Sequence, residues 1–497
     1  MHLPHLLLIT VAAAPLGPND MLRAAVHDLE TSVAPSERYG TRYATLHHLP
    51  EAERSRAGDV LSWVLNSVSR AAVIICPEAV PGTHDALWRI RYADYELPPE
   101  VWEQLAARDP YFHVRTRVLV PGSGFQVQDL ERRKPTRNGS SSTLNPEPRT
   151  LNEHEVFTDG GWLDLAAAAR LRELTGSGGA VLRGDHLIAQ AATTLDGGVY
   201  YALAGVPETE DQFFAALGLD VATIGELQAD AGANLFRSLV TFKPRRVVRR
   251  QGPLGGAWHT YDTAAATPER DPIRNPLDFV YDAGEHIAAK RNGLHVYALF
   301  DAAGRRQSTV PDVIAKDASD PHGAGIVVPM ISCVRCHVED GLRPVADDQR
   351  RLLAAGIELF TAERRDAQRL AAFYFADLDK QLRRDREDYA EAVGAATGGM
   401  TGAEATAALA QVVDDYAFRL VDLTHAAAEL GTSADALRAA LRNSHDPILL
   451  ALSAGMAVDR KQWEASFAEA AVLLPSPLAG EGSGVRGRNI QHSSLSP

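Results

Sequence analysis

The sequence predicts an α+β protein, and three observations carry that expectation. Apolar residues recur at helical spacing in several long stretches, among them Val60, Leu61, Val64, Leu65 and Val68. Short apolar or alternating runs bounded by Pro and Gly, such as "DALWRIRYADY", read as strands. Asn292-Gly293 lies between two strand-like runs in "GEHIAAKRNGLHVYALFDAAG", a strong local hairpin signal, since a two-residue turn of that kind puts both central residues at positive φ.

Taken in chain order, residues 1–19 open with an apolar run, Leu6 to Val11, followed by Ala12, Ala13 and Ala14, the small-residue pattern that precedes a cleavage site. This fits an export signal and places the protein in the periplasm or cell envelope; a buried first strand is the competing reading. Residues 20–133 read as an α/β amino-terminal domain. Its helix around Val60–Val68 is followed by "AAVIIC", expected to be a buried strand ending before Pro77 with Cys76 in the core. "PPEVWEQLAARD" starts a helix at a proline-marked first turn. Residues 134–150 belong to a Pro/Gly/Ser/Asn-rich stretch without periodicity, a linker or long surface loop.

Residues 151–395 form the next unit, mainly helical with the Asn292-Gly293 hairpin inside it and a second turn at Ala303-Gly304. It begins with the helical pattern "GWLDLAAAARLREL" and ends in long helices from Asp347 to Val393 whose charged faces are expected to be solvated. Residues 403–474 read as a helical carboxy-terminal module in which Ser433 caps "SADALRAALRN". Residues 475–497 are Pro/Gly/Ser-rich and expected to be disordered.

The 497 residues, 45% hydrophobic, are enough for two or three cores without disulfide staples. A net charge of −14 opposes a nucleic-acid surface. No stretch approaches the ~18 continuous apolar residues of a spanning helix, so no transmembrane helix is expected.

Two of only three cysteines fall in "MISCVRCHVEDG", as Cys333 and Cys336, with His337 directly after. Cysteines at i and i+3 share one side of a helical turn, where two thiols can add to the two vinyl groups of one porphyrin. His337 can then present its ring to the iron from the same side. The pattern therefore marks covalent haem c, with Cys333 and Cys336 as thioether anchors and His337 as proximal axial ligand to the haem iron. Three readings compete with it. A structural zinc would need two further ligands from elsewhere. A thioredoxin-like dithiol would need a strand before it, which "AGIVVPM" supplies. The third is coincidence.

The flanks of the motif add a resemblance. "WHTYD" (258–262), "GEHIAAKRNGLHVYALFDAAGRR" (284–306), "VIAKD" (313–317) and "MISCVRCH" (330–337) resemble, in order and spacing, uncharacterised bacterial proteins that carry a c-type cytochrome domain. "RYATLHHLP", "LWRIRYADYELPPEVWEQL" and "WLDLAAAARL" are similar to the amino-terminal half of that family, and "HAAAELG" and "VDRKQWEASFAEAAVLL" to its tail, so the likeness extends to about residue 474. It implies one covalent haem and no particular reaction. The chain departs from the family after the motif, where relatives often carry a methionine and this sequence reads "VEDGLRP".

That departure bears on the sixth iron ligand. Met400, in the glycine-flanked "ATGGMTG", is the candidate distal ligand, at a separation from His337 common among small cytochromes c; Met330, His425 and an open position are the alternatives. "KPRRVVRRQ" gathers Lys243, Arg245, Arg246, Arg249 and Arg250, read as a solvated loop unless it meets haem propionates or an acidic partner. No dinucleotide fingerprint, phosphate loop, nucleophile elbow or H-E-x-x-H motif appears, so no second motif supports catalysis. The expectation is a single-haem c-type cytochrome-like protein transferring one electron to a redox partner protein in the cell envelope. A haem-bearing sensor or scaffold, a haem enzyme with an open sixth site and a non-haem zinc protein are the alternatives.

Overall fold

The computed structural model describes residues 16–112, 117–119, 155–157, 163–220, 231–238, 240–264, 267–277, 280–323, 325–338, 340–355 and 364–474. The expected export signal, apart from residues 16–19, the linker and the tail lie outside them. The fold is α+β, as the sequence predicts. In chain order the strands are β1 (Thr41–Thr45), β2 (Glu78–Ala79), β3 (Leu87–Arg91), β4 (Arg117–Leu119), β5 (Glu155–Phe157), β6 (Val181–Arg183), β7 (Ala231–Leu235), β8 (Arg245–Gly252), β9 (Gly255–Asp262), β10 (Ala283–Ala289) and β11 (His295–Asp301).

The first sheet has the order β2-β3-β1-β6, with β1 antiparallel to β3 and parallel to β6. Every residue of β1 is buried because both faces are covered. Tyr43 joins the core of the Pro18–Thr31 helix, and its neighbour Ala44 joins that of the Glu51–Val68 helix. The strand β6 lies beyond the linker, so this sheet draws on both of the units the sequence suggested.

"AAVIIC" is not a strand: residues 71–76 form no regular element, and Cys76 is exposed. The reason is a competing partner. The Asn66 side chain donates to the Ile75 carbonyl (2.7 Å) and accepts from the Ile75 N–H (2.9 Å), taking the backbone groups a neighbouring strand would use.

The second sheet is an antiparallel meander, β11-β10-β9-β8-β7. Its last hairpin is the one expected around Asn292-Gly293, with a different turn. Lys290 and Leu294 close a wider loop (Lys290 N–H to Leu294 O, 2.8 Å), and of the Asn-Gly pair only Gly293 takes positive φ. "KPRRVVRRQ" is mostly the buried strand β8 rather than a solvated loop. Its arginines are tolerated there because each of three meets built-in acceptors. Arg245 reaches Asp262 (2.6 Å) and Glu285 (3.0 Å), Arg246 reaches Asn234 (3.1 Å), and Arg249 reaches Asp385 (2.8 Å). Asp385 itself belongs to the Leu378–Ala396 helix, so the charged face expected to be solvated contributes one buried carboxylate.

The carboxy-terminal helices run Leu423–Leu430, Ala434–Leu441, Pro447–Ser453 and Arg460–Leu473, and Ser433 caps the second by accepting from the Ala436 N–H (3.2 Å). They meet the amino-terminal region through a buried polar network. Glu429 receives Arg183 (2.7 Å), Arg460 (2.7 Å) and the Trp463 indole N–H (2.6 Å), while Asp185 receives Arg183 (2.7 Å) and faces His48 (3.0 Å).

His47 closes the same network, its Nε2 on the Glu429 carbonyl (3.2 Å) and its Nδ1 on the Thr45 hydroxyl (2.9 Å). Burial, with His48 and Arg183 adding positive charge nearby, pushes its pKa down from 6.5 to about 3. The unfolded chain therefore binds the extra proton first, and stability is lost as pH falls from 6.5 toward 3. One such group costs up to ~1.4 kcal/mol per pH unit in that window. In urea titrations at pH 6.5 and 4.5, the wild type should lose about 2 kcal/mol more than His47→Gln; equal losses would reject the assignment.

Candidate cofactor site

Residues 331–336 form a short helix, so Cys333 and Cys336 lie one turn apart, and His337 caps its carboxy-terminal end, bonded back to Cys333 (N–H to O, 2.8 Å). Several contacts fix this segment. Val334 is buried in the main core, the Ser332 hydroxyl accepts from the Val328 N–H (3.0 Å), and Arg335 pairs with Asp414 of the Gly402–Ala417 helix (2.6 Å). Met330 precedes the helix at φ 66° and ψ −73°, a γ-turn conformation rare for a non-glycine residue, closed by the Ile331 N–H on the Pro329 carbonyl (3.1 Å) and set in the core.

Cys333, Cys336 and His337 open together into a cavity of about 680 Å³ between this helix, residues 342–346 and one face of the second sheet. The pleat decides which strand residues reach it. Val247, Thr260, Glu285 and Leu299 form one cross-strand row, and Trp258 and Ile287 stand in the next row on the same face. Residues between these point the other way: His259 and His286 pair Nδ1 to Nδ1 (2.8 Å) beneath Phe213 and Phe214, and His286 Nε2 is 2.9 Å from Glu210.

The electrostatics suit a porphyrin more than a reactive dithiol. Burial, with Glu285 nearby, pushes the Cys333 thiol well up, and burial also raises Cys336 despite Arg343, whereas an attacking dithiol needs a lowered pKa. Burial, with Arg245 and Arg343 adding positive charge, pushes His337 down to about 4, so at neutral pH its ring is uncharged and has a lone pair to give. Its Nδ1 is shut off from solvent without a hydrogen-bond partner. Arg343, which donates to the Cys336 carbonyl (2.8 Å), and the exposed Arg237 also line the cavity, as cations for a carboxylate-bearing ligand.

The volume lies within the usual range for a cofactor pocket. The residues present therefore fit a haem c: Cys333 and Cys336 would anchor it, His337 would ligate its iron, and Arg237 and Arg343 would face its propionates. The group would supply one-electron chemistry and an iron ligand position. A zinc fits less well, since among the described residues no group of three or more His, Cys, Asp and Glu side chains is placed to hold a metal ion.

Of the distal candidates, none lines the cavity. Met400 is half-buried against the main core, Met330 is buried behind the motif helix, and His425 pairs with Asp422 (2.8 Å) in the carboxy-terminal module. The cavity wall was hard to find from sequence, because Trp258, Glu285 and Arg343 carry no motif. The period-two alternation of "WHTYD" and "GEHIAAK" was the available signal. Comparison with known proteins finds no match among family models, curated proteins or solved structures. Among the described residues no helix is long and apolar enough to cross a membrane.

Proposed function

We propose that this chain is a single-haem c-type cytochrome-like protein, with haem c attached through Cys333 and Cys336 and ligated by His337. The observation that carries this reading is that all three residues of the C-x-x-C-H motif open into one largely apolar cavity of about 680 Å³. The resemblance of "MISCVRCH" and its flanks to bacterial proteins with a c-type cytochrome domain supports it further. The activity that follows is one-electron transfer with a redox partner protein. Attachment takes place outside the cytoplasm, so the protein acts in the periplasm or cell envelope, with the Leu6–Ala14 segment as export signal.

A second reading, a haem-bearing sensor, is favoured by the position of Met400 outside the cavity. The test of attachment is expression with export and a cytochrome c maturation system. Haem that survives denaturing electrophoresis is the expected result, and it should vanish in Cys333→Ala and Cys336→Ala. Stoichiometric zinc without haem would overturn the proposal.

A further inference from the structure

We infer that, among the described residues, His337 alone ligates the haem iron, and that the sixth position is left to a small neutral diatomic molecule. The inference rests on the haem reading above and on where the described side chains lie. Histidine, methionine, tyrosine and a free cysteine thiolate ligate haem iron, and the cavity lining holds no tyrosine and no cysteine besides the two thioether anchors. Among the cavity-lining residues there is no methionine and no lysine, and the histidines are only His337 and His286.

The His286 ring is committed on the far side of the sheet, between His259 and Glu210. His295 is stacked on Tyr389 with ring centroids 4.1 Å apart and does not line the cavity. Lys243 spends its ammonium on the carbonyls of Ala264 and Val313. Met400 is held away by its own loop, where its N–H donates to the Thr397 hydroxyl (3.1 Å) and the following Thr401 opens the next helix with a capping box.

The wall chemistry chooses among exogenous ligands. Val247, Ile287, Leu299 and Leu382 make much of the lining apolar. Two carboxylates also line it, Glu285 and Asp317, each with one oxygen shut off from solvent and without a hydrogen-bond partner. Arg245 is already matched by Asp262 and Glu285. Arg237 and Arg343 would be taken by the propionates, so an anion entering the remaining space gives up its hydration to a largely apolar wall, whereas a neutral diatomic loses little on leaving water. Carbon monoxide, nitric oxide and dioxygen share that chemistry.

The experiment uses the full, haem-loaded chain, reduced with dithionite and titrated with carbon monoxide, beside the ferric protein titrated with azide. The expected result is a carbon monoxide-induced Soret shift that saturates. In Met400→Ala its midpoint should move by less than about twofold, since a thioether that competed for the iron would shift it tenfold or more. Azide should give no saturable change. A haem-loaded protein that ignores carbon monoxide, or that responds only in Met400→Ala, overturns the open position. Azide binding without a carbon monoxide response overturns the choice of ligand class. A protein that carries no haem at all fails at the earlier step and overturns the haem reading itself.

Discussion

Glu429→Ala should lower the unfolding free energy by ~3–5 kcal/mol, the cost of leaving a buried charge without its partner. Glu429 is 3% exposed and receives two guanidiniums and an indole N–H, from Arg183, Arg460 and Trp463. Removing it leaves Arg183 with Asp185 alone and Arg460 with the Tyr111 hydroxyl (2.9 Å) and the Tyr416 carbonyl (3.2 Å), so the network gains a net positive charge. These residues join the carboxy-terminal helices to β6, so the loss should also loosen that junction. Urea unfolding at pH 7 measures the first effect, and amide exchange across residues 423–474 measures the second. A loss below ~1 kcal/mol would mean that the network contributes no more than an exposed ion pair.

Asp385→Ala should cost a similar ~3–5 kcal/mol, for the same physical reason at a different place. The carboxylate accepts from Arg249 at 2.8 and 3.0 Å and from the Trp258 indole at 2.9 Å. It reaches β9 only because residue 256 is glycine: a Cβ there would stand 2.1 Å from Asp385 Oδ2. Gly256→Ala should therefore destabilise in the same direction, and the double variant should cost less than the sum of the two. Trp258 is part of the cavity wall, so its fluorescence in the folded protein should shift in Asp385→Ala. Fully additive losses would show that Gly256 and Asp385 do not share one contact.

Local signals were legible where the physics is local. The helices at Glu51–Val68 and Pro99–Arg108, the Ser433 cap and the β10–β11 hairpin each depend on periodicity, capping or turn residues within a few positions of one another. The motif at 333–337 is local too, since a single helical turn places both thiols and the histidine. "AAVIIC" and "KPRRVVRRQ" misled because their outcome depends on distant partners. A six-residue apolar run becomes a strand only if its backbone finds a neighbour, and Asn66 took that place. A run of arginines belongs in a solvated loop unless carboxylates and carbonyls wait for it, and Asp262, Glu285 and Asp385 lie far along the chain.

What the sequence by itself determined was the α+β class, most helices, the hairpin and the placement of two thiols and an imidazole one after another. Only the tertiary structure decided what surrounds them. The pleat of four strands turns Val247, Trp258, Thr260, Glu285, Ile287 and Leu299 toward the motif and His259 and His286 away from it. Packing against the main core keeps Met400 out of the cavity lining. Spacing along a chain specifies neighbours within a turn or a strand, whereas the far wall of a cavity is assembled from segments whose proximity comes from burying their apolar faces together.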